Sequence, residues 1–346
     1  MTDRRHFLKS GLAISLTTLI GSPILASELT NSVTTHSATK IFPKALKKGT
    51  KVAISSPAGT VWDSKQVETF THILTGFGFE VVLGKTLSLK HGYFAGTDEE
   101  RANELNQFFA DKTISAIFCM KGGWGCARIL DLLNYSLIKQ NPKILIGFSD
   151  ITALLLAITN QTGLITFHGP VGNSGWNEFT TEVFKKVCMN AEAVQYPKNP
   201  VTDLQLKVHS KGIATGELWG GNLTVLTSLI GSKYLPDFKG AILFLEEAKE
   251  EPYSIDRMLT QLKLSGIIDN VSGIIFGKCS KCLAEEPAKA FTIEEVLSQH
   301  FSDLKIPVVS DFMIGHIENK LTLPLGALAT LNTEKGSLEL VKSATI

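Results

Sequence analysis

The sequence predicts an α/β protein in two parts, an N-terminal doubly wound parallel-sheet domain followed by a C-terminal α+β domain that is β-rich and barrel-like. Three observations carry this expectation. Between Lys51 and Val171, short apolar runs of strand length alternate with longer helix-patterned stretches, as in a parallel sheet covered on both faces. Beyond Val171 the alternation stops: residues 173–199 are polar and irregular around one helix, and the β-rich runs that follow have fewer helices between them. The 346 residues, 44% of them apolar and 19% charged, suffice to fill two cores.

In chain order, Val52–Ser55 reads as a buried strand stopped by Pro57-Ala58-Gly59, and a helix follows from Asp63 to Thr75. Phe79–Leu83, Ala116–Cys119, Ile144–Gly147 and Leu164–Phe167 supply the other strands of the first sheet. In the second part the strand candidates are Leu206–Val208, Gly240–Leu245, Gly273–Phe276, Val308–Ile314 and Ala327–Leu331. Helices are expected over Ile255–Leu264 and Ile293–Leu304. The organisation expected is a signal over 1–26, a flexible leader over 27–45, the N-terminal domain over 46–172, a linker region over 173–204 and the C-terminal domain over 205–346. Ligands of such sheets sit where the strands' carboxyl ends meet the loops, and a site between two domains is the default expectation.

Charge removes several function classes. Lys and Arg total 34 against 33 Asp and Glu, a net +1 that provides no field for gathering phosphate backbones, so no nucleic-acid partner is expected. No run of 18 apolar residues is uninterrupted, so no stable membrane anchor is expected. At the N-terminus, Arg4-Arg5-His6-Phe7-Leu8-Lys9 precedes a moderately apolar run from Gly11 to Ala26, the layout of a signal peptide with a twin-arginine motif. Export to the periplasm by that route is the localisation this layout implies. Cleavage near Ala26 would remove Arg4, Arg5, Lys9 and Asp3, leaving a net charge of −1.

The 5 cysteines do not form the dense even framework of small secreted domains. Cys279-Ser280-Lys281-Cys282 is a CxxC without a second ligand pair at zinc spacing, so neither a metal nor a cofactor is expected; in an oxidising compartment the two thiols could pair.

The chemistry concentrates after Ile144–Gly147, where Gly147-Phe148-Ser149-Asp150 runs directly into Ile151-Thr152-Ala153-Leu154. A serine at a sharp strand-to-helix turn projects its hydroxyl at the sheet edge beside free helix N–H groups. The second glycine of the α/β-hydrolase elbow is replaced by Ile151, and a serine or aspartate there could equally cap the helix. Upstream, Lys121-Gly122-Gly123-Trp124-Gly125 could bring backbone N–H groups to a developing oxyanion. It lacks the lysine and hydroxyl of a P-loop and the spacing of a dinucleotide fingerprint. A base would come from His316, in Ile314-Gly315-His316, or from its competitor His168, in Phe167-His168-Gly169. The orienting carboxylate would come from Leu243-Phe244-Leu245-Glu246-Glu247, where alternation lets one of the two face the site; Glu246 is the choice and Glu247 the solvated neighbour.

Over nearly the whole mature chain these residues resemble the LD-carboxypeptidases, also called muramoyltetrapeptide carboxypeptidases. The matching segments are Ala95–Arg101, Gly122–Gly125, Pro142–Leu154, Trp219–Leu223, Leu243–Glu246, Asp256–Leu259 and Gly315-His316. The resemblance implies a Ser149-His316-Glu246 triad between two domains, with an oxyanion hole from backbone N–H groups of Gly122, Gly123 and Asp150. It also implies a murein peptide substrate met by Trp124, Trp219 and Asn222, no metal or cofactor, and a homodimer. Two departures stand out: Lys121 replaces the family's usual arginine, which loses a bidentate carboxylate contact, and familiar members lack an export signal. The alternatives are a hydrolase of peptide-nucleotide conjugates, like the microcin-immunity peptidases of the same superfamily, and a catalytically silent wall-peptide binding protein.

Overall fold

A computed structural model describes residues 39–197 and 206–346; the export motif and most of the leader lie outside the described residues. The first part runs β1 (Lys51–Ser55), α1 (Ser64–Gly76), β2 (Glu80–Leu83), α2 (Asp98–Ala110), β3 (Ile114–Cys119), α3 (Tyr135–Gln140), β4 (Ile144–Gly147), α4 (Thr152–Thr162) and β5 (Thr166–His168). Helix starts follow their capping residues: Asp63 accepts from Lys65 N, and Thr97 with Glu100 closes a reciprocal capping box on α2. The five strands pair in parallel in the order β2-β1-β3-β4-β5. Helix α4 is apolar over Ala153–Ile158 and buried for most of its length, because the second sheet covers the side that the first leaves open.

The chain continues through α5 (Glu178–Cys188), β6 (Lys207–Ser210), β7 (Ile213–Asn222), α6 (Leu223–Ser228), β8 (Ile242–Ala248), α7 (Pro252–Leu264), α8 (Ile267–Asn270), β9 (Gly273–Ser280), α9 (Ile293–Phe301), β10 (Val308–Phe312), β11 (Leu323–Leu325), β12 (Leu328–Asn332) and β13 (Ser337–Leu340). Seven of these strands form a curled sheet in the order β13-β12-β7-β8-β9-β10-β6. Its central strands β7 to β10 are parallel, and β12, β13 and β6 add antiparallel edges. The fold class is the one the sequence predicts.

Three strands have no counterpart in the sequence reading. In β7, Gly216, Gly220 and Gly221 dilute the β-forming residues that mark a strand. In β11, Pro324 argues against a strand, yet the segment lies antiparallel at the edge of the first sheet, with Leu323 opposite His168, where proline's missing donor is tolerated. The short β13 simply pairs back onto β12. Strand β11 also ties the C-terminal part of the chain into the first sheet, behind β5.

Packing around the first sheet fixes the loops that frame the cleft. Phe118 on β3 contacts Phe70 and Phe184 at centroid separations of 5.9 and 5.7 Å, and Trp176 closes the cluster at 5.3 Å from Phe184. Arg101 on α2 is fully buried and donates from Nη1 to the carbonyls of Pro57 (2.7 Å) and Gly125 (3.0 Å), while Asp98 balances its charge. A buried guanidinium is tolerated only with such partners, so Arg101 pins the loop after β1 to the end of the glycine-rich turn. Among the described residues no helix is long and apolar enough to cross a membrane.

Candidate active site

Strand β4 ends in Gly147, Phe148 is extended, and Ser149 takes a left-handed φ of 64° before a tight turn over Ser149–Ile151 leads into α4. A non-glycine residue in that region costs about 1–3 kcal/mol, a strain that collects at functional sites. The capping alternative is not what the backbone shows: neither the turn nor α4 has a side-chain cap. Asp150 turns away instead, buried, and its Oδ2 accepts from Cys126 N at 2.8 Å, which joins the Ser149 turn to the glycine-rich turn; burial raises its pKa.

Gly122 closely approaches the Ser149 turn. A Cβ added there would fall 2.9 Å from Ser149 Oγ and 3.2 Å from Asp150 N, so only glycine lets this backbone border both the hydroxyl and the helix-start N–H. That is the arrangement an oxyanion site needs. Trp124, two residues on, is half exposed beside it.

Glu246 on β8 is completely buried, and His316 Nδ1 lies 2.8 Å from its Oε2. Because a carboxylate only accepts, this contact fixes the imidazole proton on Nδ1 and leaves Nε2 as the basic nitrogen. Gly315, at φ 102°, makes the contact attainable: a Cβ there would stand 2.4 Å from the same Oε2. The His316 side chain remains 32% exposed, with the Phe148 ring edge-on at 4.8 Å.

His168 is in a different position. It is buried between Phe148 and Phe244, and burial pushes its pKa down to about 4, although Glu246 opposes the shift. Its Nδ1 and Glu246 Oε1 are buried with no hydrogen-bond partner among the described residues. Lys320 is also buried behind the pair, its ammonium 5.7 Å over the Phe148 ring; burial lowers its pKa to about 8, against the pull of Glu246.

Ser149, Asp150, Gly123, Trp124, Asn222 and His316 line one cleft of about 370 Å³, with Glu246 directly behind the histidine. Among the described residues no hydrogen bond joins Ser149 Oγ to His316. Two side chains depart from the sequence expectations. Trp219 does not line this cleft: its indole N–H donates to Glu217 at 3.0 Å and Lys40 sits 4.8 Å over the ring. Trp219 and Asn222 are an odd number of residues apart on β7, which sends them to opposite faces. Glu247 is not a solvated neighbour. It is buried at the cleft, accepts from Asn222 Nδ2 (2.9 Å), Thr224 N (2.8 Å) and Ala248 N (2.9 Å), and burial raises its pKa. A register irregularity between Leu245 and Glu247 breaks the alternation that would have sent it outward. Thr152 also escaped the sequence reading: its Oγ1 accepts from Asn222 N at 3.0 Å, stitching β7 to the start of α4. The CxxC cysteines form a disulfide, and among the described residues no group of three His, Cys, Asp or Glu side chains is placed to hold a metal.

A parallel α/β sheet facing a curled second sheet, with a strained serine and a carboxylate-held histidine on one cleft, defines a two-sheet α/β protein of the hydrolase class. Residues 52–169 match the LD-carboxypeptidase N-terminal domain and residues 215–331 the LD-carboxypeptidase C-terminal domain. The chain belongs to the LD-carboxypeptidase family, a family of murein peptide carboxypeptidases related to microcin self-immunity proteins. It is 39% identical over 297 residues to a probable murein peptide carboxypeptidase of Bacillus subtilis (strain 168), covering 84% of this chain and 91% of that one. The structure resembles the microcin C7 self-immunity protein MccF in complex with aspartyl sulfamoyl adenosine, at TM-score 0.80 and 28% identity, over 88% of this chain and 100% of that one. It also resembles the muramoyltetrapeptide carboxypeptidase of Oxalobacter formigenes, at TM-score 0.73 and 30% identity, over 84% and 98% of the two chains.

Proposed function

We propose that the protein is a serine carboxypeptidase that hydrolyses the L,D-peptide bond to the terminal D-alanine of murein tetrapeptides, with Ser149, His316 and Glu246 as its triad. The observation that carries this reading is the 2.8 Å contact between Glu246 Oε2 and His316 Nδ1, on a histidine that shares a cleft with a left-handed serine. In this mechanism His316 Nε2 takes the Ser149 proton as Oγ attacks the scissile carbonyl, while N–H groups at Asp150 and the Gly122-Gly123 turn receive the oxyanion. Protonation by His316 releases D-alanine. The same base then activates the water that clears the acyl-enzyme. Glu246 holds the tautomer and stabilises the imidazolium; with no exposure to water it does this at low local dielectric.

Export through the twin-arginine segment would place this activity in the periplasm, acting on wall stems or their released fragments, in a chain that forms a homodimer. The test is D-alanine release from a purified murein tetrapeptide by the wild-type chain and by Ser149→Ala. The wild type is expected to turn over and the variant to fall about 10³-fold or more while keeping its far-UV spectrum and melting temperature. Near-normal release by the variant overturns the assignment. A second reading, hydrolysis of a peptide-nucleotide conjugate, is favoured by the similarity to MccF with its nucleotide-analogue ligand. Cleavage of an aminoacyl sulfamoyl adenosine in preference to the tetrapeptide would select it.

A further inference from the structure

The disulfide has no part in the mechanism above, yet it closes on the back of the catalytic histidine. Cys279 and Ser280 are the last residues of β9, and Lys281 turns left-handed at φ 58° to bring Cys282 back to Cys279. Ser280, inside that small covalent ring, makes two bonds that leave it in different directions. Its Oγ donates to the backbone carbonyl of His316 at 2.8 Å, and its own carbonyl accepts from Lys249 N at 2.9 Å. Lys249, itself left-handed at φ 65°, lines the same cleft as Ser149, together with Glu250. Register extends the connection, since Cys279 stands opposite Glu247 and Ser280 opposite Ala248. One residue therefore joins the segment carrying the base to a second loop that lines the cleft.

His316 needs such a tether. Its segment, from Gly315 to Asn319, has no regular secondary structure, and among the described residues the imidazole is fixed by a single side-chain hydrogen bond. A ring swinging about its backbone would keep the Glu246 contact only part of the time, and a base displaced by about an ångström loses much of its effect. An exposed serine hydroxyl on a free chain end would be a weak restraint. On a strand end closed by a disulfide, it has few alternative positions.

We propose that Ser280 is a positioning residue for His316, held in place by the Cys279–Cys282 disulfide, so that turnover depends on the oxidation state of this cysteine pair. The proposal rests on His316 being the base. Reduction is a balanced exchange: a dithiol gives two electrons and two protons, the Cys279–Cys282 bond opens to two thiols, and the reductant closes its own disulfide. The other cysteines of the chain, Cys119, Cys126 and Cys188, are buried free thiols and remain unchanged as internal controls.

The experiment uses the full-length mature chain, with thiol titration and mass to confirm that dithiothreitol adds two thiols. Tetrapeptide turnover is measured for oxidised and reduced wild type, for Cys279→Ser/Cys282→Ser, for Ser280→Ala and for Ser280→Thr. Reduction is expected to lower kcat about fivefold, the size of one restraining hydrogen bond, with KM nearly unchanged, and reoxidation to restore it. The double cysteine variant should behave like the reduced enzyme and ignore dithiothreitol, Ser280→Ala should match it, and Ser280→Thr should recover the loss. In parallel, the His316 ring resonance, assigned by its disappearance in His316→Gln, should move or broaden on reduction and in Ser280→Ala. Equal kcat and an unmoved His316 resonance in the oxidised and reduced forms overturn the proposal, while D-alanine release by the same oxidised enzyme leaves the proposed function standing. If the oxidised enzyme releases no D-alanine, the function fails separately and the His316 resonance alone decides the tether.

Discussion

On one wall of the cleft Ser149 is delivered by a single contiguous stretch, from β4 through the tight turn into α4, and its neighbours are backbone atoms of Gly122 and Asp150. On the other wall Glu246 and His316 are 70 residues apart in the chain, and they meet only because β8 aims a buried carboxylate at a segment that contains Gly315. The proposed nucleophile wall is local and strained, whereas the proposed base wall is assembled over long range. Strain of that kind is stored by a rigid surround and is hard to disturb with one distant change. A long-range dyad with one connecting bond is easy to disturb, so substitutions should separate the two walls by how they fail.

The largest expected effect is on the base wall. Gly315→Ala would place a methyl 2.4 Å from Glu246 Oε2, at a φ of 102° that alanine resists. Glu246 is enclosed and cannot withdraw, so the dyad must open. A loss of kcat of about 10³- to 10⁴-fold is expected, comparable to removing the orienting carboxylate of a triad, with a lowered melting temperature. On the nucleophile wall, Gly122→Ala would bring a methyl 2.9 Å from Ser149 Oγ and 3.2 Å from Asp150 N. Here the fold should survive, and kcat should fall about 10²- to 10³-fold through loss of the oxyanion contacts. Steady-state kinetics with differential scanning calorimetry on both variants checks the contrast; a Gly122→Ala enzyme of normal kcat would show that the hole lies elsewhere.

That contrast also governs what could be read in advance. Ser149, Asp150 and the Gly122-Gly123 turn were legible because strand, turn and helix succeed one another in the chain. Glycine beside His316 at a strand end singles it out over its competitor His168, but neither periodicity nor spacing excludes His168, and the full triad with Glu246 is what the family resemblance implies. The structure separates them by burial: His168 lies between Phe148 and Phe244, where an ionised imidazole is poorly tolerated. The inward turn of Glu247 and the burial of Trp219 away from the cleft depend on a register break and on glycine-diluted β7, and neither leaves a pattern in sequence. Strand β11 was hidden by Pro324 for the same kind of reason, because tolerance of proline depends on being at an edge that only the assembled sheet defines.

The burial of His168 has a measurable sign. Its folded pKa, about 4, lies below the ordinary 6.5, so the unfolded chain binds the extra proton first as pH falls. Stability from this group is present above pH 6.5 and declines toward pH 4. Between about pH 7 and pH 5 this amounts to roughly 2 kcal/mol of unfolding free energy. Urea titrations of wild type and His168→Gln should show that slope in the first and a flatter one in the second. The variant should keep kcat within about tenfold, since the group lies behind the reacting atoms rather than among them. A collapse of kcat as deep as that of His316→Gln, at full folding, would exchange the roles of the two histidines.

The smallest expected effect tests how the walls are joined. Glu247 holds Asn222, and the Asn222 N–H donates to Thr152 at the start of α4, so this carboxylate links the base wall to the nucleophile helix. In Glu247→Gln one oxygen can still accept from Asn222 Nδ2 and Ala248 N, but the amide nitrogen then faces Thr224 N, donor against donor. An unsatisfied buried N–H costs about 1–3 kcal/mol. Opposing this, burial raises the Glu247 pKa, so the folded state disfavours the ionised form. Stability from this group is therefore present below the ordinary carboxyl range and is lost as pH rises through the raised folded value, a penalty the glutamine does not carry. The two effects oppose each other near neutral pH, and a net change within about 1 kcal/mol follows, measured as a small shift in urea midpoint that turns more unfavourable for the variant at acid pH. Because Asn222 lines the cleft, its loosening should raise KM severalfold and leave kcat nearly intact. A fall in kcat with KM unchanged would instead place Glu247 among the groups that act on the transition state, and the two walls would then be one catalytic unit rather than two surfaces joined at Asn222.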